Sequence, residues 1–294
     1  PRGAQDGVPA EPVALALALA DRIDTLAGFF AVGEKPTGSG DPFALRRAAL
    51  GIIRIVRDNL LRIDIGVALQ HAAEGALDST GTNWRTALAD ATEDMRDHRA
   101  LLMDGPTPSG PIFPTPQRIV RDVLDFLAER LRVQLRAEGK RHDIVAAVLA
   151  RGADGDLLRV LARAEAVEAL LGTEDGANLR TAYARAANIL RIEEKKDGRA
   201  YDAAPDPAHY REPQEQALAA ALDTAEPAIA AHLAAEDFVA AMSDLAALRT
   251  PLDAFFDHVT VNAPEPALRE NRLFLLARVR RAMDQVADFS KLEG

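Results

Sequence analysis

Apolar residues recur three and four positions apart along nearly the whole chain, and no window alternates strictly over six residues as a half-buried strand would. The pattern predicts an all-α protein. Helices are expected near 11–31, 42–61, 64–77, 82–103, 117–138, 141–151, 155–171, 174–195, 213–235 with an interruption at Pro227, 237–249 and 265–288. Asp41 before Pro42 places a carboxylate acceptor at an N-cap and a proline at the first helical position, where its missing N–H does no harm. Two proline-rich stretches break the pattern. The stretch MDGPTPSGPIFPTP (103–116) holds five prolines and is the expected domain linker, and KKDGRAYDAAPDPAHYREP (195–213) is a second break. No repeat of fixed period recurs, which argues against a solenoid.

In the last helix, Leu268, Leu275, Val279, Met283 and Val286 form an apolar stripe. Arg272 falls inside it, and Arg269 and Arg280 border it. An arginine on an apolar face has to be paired or functional. Two readings stand open: a buried pair with Asp253 or Asp257, or a rim arginine facing RNA.

Composition narrows the chemistry. With 294 residues, 48% of them hydrophobic, the chain can bury a sizeable core. Against 35 Lys and Arg stand 45 Asp and Glu, a formal charge of −10, so any nucleic-acid contact needs a local basic patch. There is no cysteine, which removes disulfides and thiolate chemistry and suits a reducing, cytoplasmic location. The longest apolar run, VALALALA (13–20), is too short to span a bilayer, so no membrane partner is expected. The opening PRGAQDGVPAEP reads as part of a longer chain.

Candidate chemistry is sparse. The stretch VGEKPTGSGDPFALRR (32–47) has the glycines of a phosphate loop, but a helix precedes it and Lys35 comes before the glycines. It reads as a connector between helices that can lend Lys35, Arg46 and Arg47 to an RNA backbone. The segment ALADRIDTL (18–26) resembles the last metal-proximal segment of HD-type phosphohydrolases, with Asp21 as the carboxylate. No His-Asp doublet precedes Asp21, and the adjacent pair His142 and Asp143 lies downstream at a helix start, where Asp143 reads as a capping acceptor. The six histidines, His71, His98, His142, His209, His232 and His258, are scattered singly without the i, i+4 pairing of a helical zinc site. Neither a metal site nor a catalytic residue is expected. Basic clusters, including Arg180, Arg185, Arg191, Lys195, Lys196 and Arg199, are interspersed with acids and read singly as solvated helix faces.

Four segments carry a resemblance: ADRIDTLAGFFAVGEKPTGSGDPFALRRAALGIIRI (20–55), AYARAANIL (182–190), LRTPLDAFFDHVTVNAPEPALRENRLFLLARVR (248–280) and VADFSKL (286–292). In order and from end to end, the chain resembles the β subunits of bacterial-type heterotetrameric glycyl-tRNA synthetases, specifically their carboxy-terminal part. The resemblance implies the carboxy-terminal portion of an HD-like helical domain (1–110), linking helices (111–173) and a DALR-type helical anticodon-binding domain (174–294). ALRENRLFLL (267–276) matches the DALR signature, with Pro266 where an acidic residue is more usual, and Gly40 stands where the family often has a lysine.

In such enzymes the α subunit activates glycine with ATP and Mg2+ and the β subunit binds tRNA. This chain is therefore expected to hold no cofactor or catalytic site, and to have glycine tRNA and the α subunit of an α2β2 holoenzyme as partners. The tRNA-binding residues expected are Arg185, Asn188, Arg191, Lys195, Lys196, Arg269 and Arg272, with Lys35, Arg46 and Arg47. Two rival expectations are a metal-dependent HD-type phosphohydrolase built around Asp21 and a structural module that docks on the α subunit.

Overall fold

The computed structural model describes residues 7–36, 40–79, 115–150, 152 and 154–292. Among them are eleven α-helices and no strand: α1 (Pro12–Ala31), α2 (Leu45–Asp58), α3 (Ile65–Ser79), α4 (Pro116–Ala137), α5 (His142–Leu149), α6 (Leu157–Leu171), α7 (Glu174–Asp197), α8 (Pro213–Ala234), α9 (Phe238–Ala247), α10 (Arg249–His258) and α11 (Pro266–Asp284). The all-α expectation holds. None of the described helices is long and apolar enough to cross a membrane. The helix expected near 82–103 lies outside the described residues, as does the expected linker at 103–116 apart from its last two residues.

The chain divides into two compact units, Pro1–Ala137 with Ala153–Leu158, and Glu138–Gly152 with Arg159–Gly294. The segment expected to link, 111–173, is thus shared between them: α4 packs in the first unit, α5 and most of α6 in the second.

In the first unit α1 lies against α2, α3 and α4. The steps of the sequence pattern become its core. Leu19, Ile23, Leu26 and Phe30 of α1 meet Ile65, Leu69, Ala73 and Leu77 of α3 and Ile119, Val123, Leu127, Leu131 and Leu135 of α4, all buried. The Glu11 carboxylate accepts from the Ala14 N–H, and Pro12 occupies the first helical position. For α2 the expectation needs correcting, because the helix starts at Leu45, not Pro42, after Ala44 in the left-handed region (φ 58°). Asp41 still serves it: one carboxylate oxygen accepts from the Leu45 N–H (2.7 Å) and the other from the Arg46 N–H (3.1 Å). Residues 153–158 return to this unit, where Arg62 pairs with Asp156 (2.7 Å) and the Ile65 N–H donates to the Gly155 carbonyl. A Cβ on Gly155 would sit 1.9 Å from Asp64 Oδ1, so only glycine fits.

In the second unit α11 packs on α7 and α8, with α10 also against both and α9 against α8. The core gathers Leu179, Tyr183, Leu190, Leu218, Leu222, Ile229, Leu252, Phe255, Leu275, Val279 and Met283. Two helical expectations change. The helix α8 runs through Pro227 without interruption, and α10 was not expected at all. Pro251 argues against α10 in the sequence, yet it stands in the first turn, where backbone N–H groups have no intrahelical acceptor to lose. The break at 195–213 is real: residues between Gly198 and Glu212 hold only a 3-10 turn, Pro207–His209.

Candidate nucleic-acid interface

The arginine inside the apolar stripe of α11 is internal. Arg272 is 4% exposed and Glu215, in the first turn of α8, is fully buried. Arg272 Nε donates to Glu215 Oε1 (2.8 Å), Nη2 reaches Oε2 (3.4 Å) and Nη1 donates to the Thr260 carbonyl (2.8 Å). Glu215 Oε2 also accepts from the Arg211 and Glu212 N–H groups, both at 2.8 Å, as the return half of a capping box. Burial raises the carboxyl pKa, but the Arg272 bond and the two backbone donors outweigh it, so the net shift is downward. The partners expected from sequence, Asp253 and Asp257, are therefore replaced by a residue 57 positions away. Asp253 pairs with Arg249 instead.

Three other arginines of α11 turn toward the acids of its neighbours, while Arg281 reaches the Tyr201 carbonyl. Arg269 holds both Glu193 and Asp197 of α7, Arg280 holds Glu194 of α7 (2.7 Å), and Arg278 holds Asp223 and Glu226 of α8 (both 2.8 Å). The Tyr201 hydroxyl donates to Asp197 (2.5 Å). Arg269, then Tyr201, hold the Asp197 pKa down at about 2, and Arg269 likewise lowers that of Glu193. Asn271, which sequence reasoning passed over, is 3% exposed and bonds both ways with the Asp206 backbone, accepting from its N–H and donating to its carbonyl. Pro266 opens α11 at the first helical position, so its departure from the DALR pattern is locally harmless.

These pairings sort the charges of α7. The helix begins under the Thr173 cap and ends at Gly198 in the left-handed region (φ 66°). Its carboxylates at 193, 194 and 197 are taken up by Arg269 and Arg280, while Arg185, Asn188, Arg191, Ile192, Lys195 and Lys196 are exposed. Positions 185, 188, 191–192 and 195 follow helical spacing and form one stripe without an acid in it. Arg185 lies over the Phe256 ring, 4.3 Å from its centroid, and Arg191 Nη2 donates to Asn188 Oδ1 (2.8 Å). Lys196 is 3.7 Å from Glu193. Among the described residues Arg185, Arg191 and Lys195 have no carboxylate partner. The stripe is a cationic surface on an acidic chain.

Of the carboxy-terminal candidates, then, five are exposed on α7, whereas Arg272 is buried and Arg269 is partly buried and held by two carboxylates. Lys35, Arg46 and Arg47 belong to the other unit. There Lys35 pairs with Asp122 (2.6 Å) and lies over Phe30, Arg46 donates to the Gly40 carbonyl (3.2 Å), and Arg47 is exposed.

Asp21 is exposed on α1, and among the described residues no group of three or more His, Asp and Glu is gathered to hold a metal. Arg141, not Asp143, holds the N-cap position of α5, which corrects the expected capping role; Asp143 stands in the first turn, is 5% exposed and pairs with Arg141.

Residues 1–150 match the family described as glycyl-tRNA synthetase beta subunit, and residues 179–289 match the DALR anticodon binding domain. The chain is 48% identical over 295 residues to the glycine--tRNA ligase beta subunit of Rhodospirillum centenum, covering all of this chain and 36% of that protein. It is 45% identical over 304 residues to the one from Dinoroseobacter shibae (all of this chain, 40% of that protein) and 45% over 294 residues to one from Cereibacter sphaeroides (all of this chain, 38% of that protein). The chain thus spans 36–40% of the length of these curated relatives. The DALR match contains both the stripe on α7 from Arg185 onward and the arginines of α11.

Proposed function

The chain belongs to the glycyl-tRNA synthetase β-subunit family, and from that membership we propose that it is a tRNA-binding, non-catalytic portion of the subunit whose second unit meets the anticodon arm of glycine tRNA. The observation that carries this reading is the acid-free cationic stripe of Arg185, Asn188, Arg191 and Lys195, with Lys196 exposed beside it, within the DALR match.

Arginine and lysine on a helix face supply the phosphate contacts that fix an RNA's register, and unpaired loop bases are read by stacking and edge hydrogen bonds. Arg269 serves the same end by neutralising acids that would otherwise face the RNA, and Arg272, from inside, by fixing α11 against α8. Lys35, Arg46 and Arg47 of the first unit contribute further contacts to the tRNA backbone. Glycine activation, with ATP and Mg2+, falls to the α subunit of an α2β2 holoenzyme in the cytoplasm, and this chain supplies the RNA to it.

The test is a binding comparison. The β subunit in its holoenzyme is expected to hold glycine tRNA more tightly than an anticodon-swapped variant. The double substitution Lys195→Glu and Lys196→Glu should weaken binding and flatten its dependence on salt by about one to two phosphate contacts' worth. Equal affinity for both tRNAs, or no effect of the double substitution in a folded protein, would refute the reading.

A further inference from the structure

Arg185 differs from every other arginine placed over a ring among the described residues. Its guanidinium carbon is 4.3 Å from the Phe256 centroid, against 5.2–5.4 Å for Arg199 over Tyr201, Arg163 over Phe238 and Arg130 over Phe126. Arg199 is also tied to Glu270 (2.6 Å), whereas Arg185 is exposed and has no carboxylate partner among the described residues. The ring beneath it is fixed: Phe256 is 9% exposed and meets Phe255 edge to face at 5.8 Å. An exposed planar cation held close over a core ring can offer its plane to a second flat group, which a flexible point charge cannot.

One turn along the same face stands Asn188. Its carbonyl oxygen accepts from Arg191, and among the described residues no acceptor is bonded to its amide NH2, which remains available as a donor.

We propose that Arg185, backed by Phe256, is a stacking shelf for a single unpaired nucleobase of the bound RNA, with the Asn188 amide donating to an acceptor on that base's edge. This rests on the reading that the α7 face binds tRNA, and it divides the labour on that face. Lys195, Lys196 and Arg191 meet phosphates, and Arg185 meets a base. Stacking on aromatic or guanidinium planes is how single-stranded RNA bases are commonly held, and loss of one such contact weakens binding about five- to one-hundred-fold.

The experiment uses the holoenzyme with Arg185→Lys in the β subunit, which keeps the charge and removes the plane, beside Arg185→Glu and the Lys195→Glu, Lys196→Glu double variant. Probes are glycine tRNA and a set of the same tRNA carrying one abasic position at each anticodon-loop nucleotide in turn. The shelf predicts that Arg185→Lys binds intact tRNA about tenfold more weakly with an unchanged salt slope. It also predicts that one abasic tRNA binds the wild type and Arg185→Lys equally, because the stacked base is already gone. Wild-type affinity for Arg185→Lys with a loss for Arg185→Glu would overturn the proposal in favour of a phosphate contact. A tenfold loss persisting through every abasic tRNA would overturn it too. If the lysine double variant weakens binding while both Arg185 variants do not, the tRNA-binding reading stands and the shelf falls. If none of the variants weakens binding, the tRNA-binding reading falls with it.

Discussion

Replacing Glu215 by alanine should damage the second unit more than any exposed substitution, and the structure gives the size of the effect. Glu215 is fully buried and receives four hydrogen bonds, two from the Arg272 guanidinium and two from the backbone N–H groups of Arg211 and Glu212. Its removal leaves Arg272 a buried cation with the Thr260 carbonyl as its remaining acceptor, a loss of about 3–5 kcal/mol for a broken buried pair. The unsatisfied start of α8 adds about 0.5–2 kcal/mol. The expected total of about 3.5–7 kcal/mol is a large fraction of an ordinary domain's stability, and corresponds to a fall of about 7–28 °C in the melting temperature. Glu215→Gln keeps an acceptor for the backbone and loses the charge, so it should fall between wild type and alanine. Arg272→Met should cost about 3–5 kcal/mol, because it strands the carboxylate. Thermal and urea unfolding followed by far-ultraviolet circular dichroism, on the 294-residue chain, measures all three. The alternative use of Arg272, as a contact to RNA, predicts the reverse. Under it, Glu215→Ala would shift stability by less than about 1 kcal/mol and Arg272→Met would weaken tRNA binding in a fully stable protein, and that pair of results would refute the buried-pair account.

Further outcomes follow from the same contacts. The carboxylates of Glu193, Asp197 and Glu215 all have folded pKa values below their ordinary ones, so their pairing stabilises the fold fully above about pH 4.5 and is lost as pH falls through the lowered values, about 2 for Asp197. An acid titration by circular dichroism should show the helical signal of Arg269→Gln collapsing less steeply across that window than wild type's, since Arg269 is the chief cause of two of these depressions. Asp41→Ala removes the acceptor for the Leu45 and Arg46 N–H groups and should cost about 1 kcal/mol, read as a fall of a few degrees in melting temperature, while Asp41→Asn should recover most of it.

Much of the fold is local, and that part was legible. The i, i+3, i+4 recurrence of Ile119, Val123, Leu127, Leu131 and Leu135 specifies a helix and its buried face without knowledge of what covers it, because both depend only on neighbours within a turn. Local rules also account for the differences. Adjacency makes Asp41 an N-cap of Pro42, but its side chain reaches forward past Ala44 to the helix start; a proline predicts an interruption at Pro227, but it is accommodated within α8.

The candidate site divides along the same line. That α7 carries Arg185, Asn188, Arg191, Lys195 and Lys196 on one face is a matter of spacing, and the chain alone fixes it. Which of the carboxy-terminal arginines face solvent is not, since an arginine and a carboxylate attract at any sequence separation and their approach is set by how α7, α8 and α11 pack. Only the tertiary structure brought Glu215 under Arg272, across 57 residues, and Glu193 and Asp197 under Arg269, across 76 and 72. Only it laid Arg185 on Phe256. Periodicity determined which side chains share a face; packing decided which charges on those faces were already neutralised.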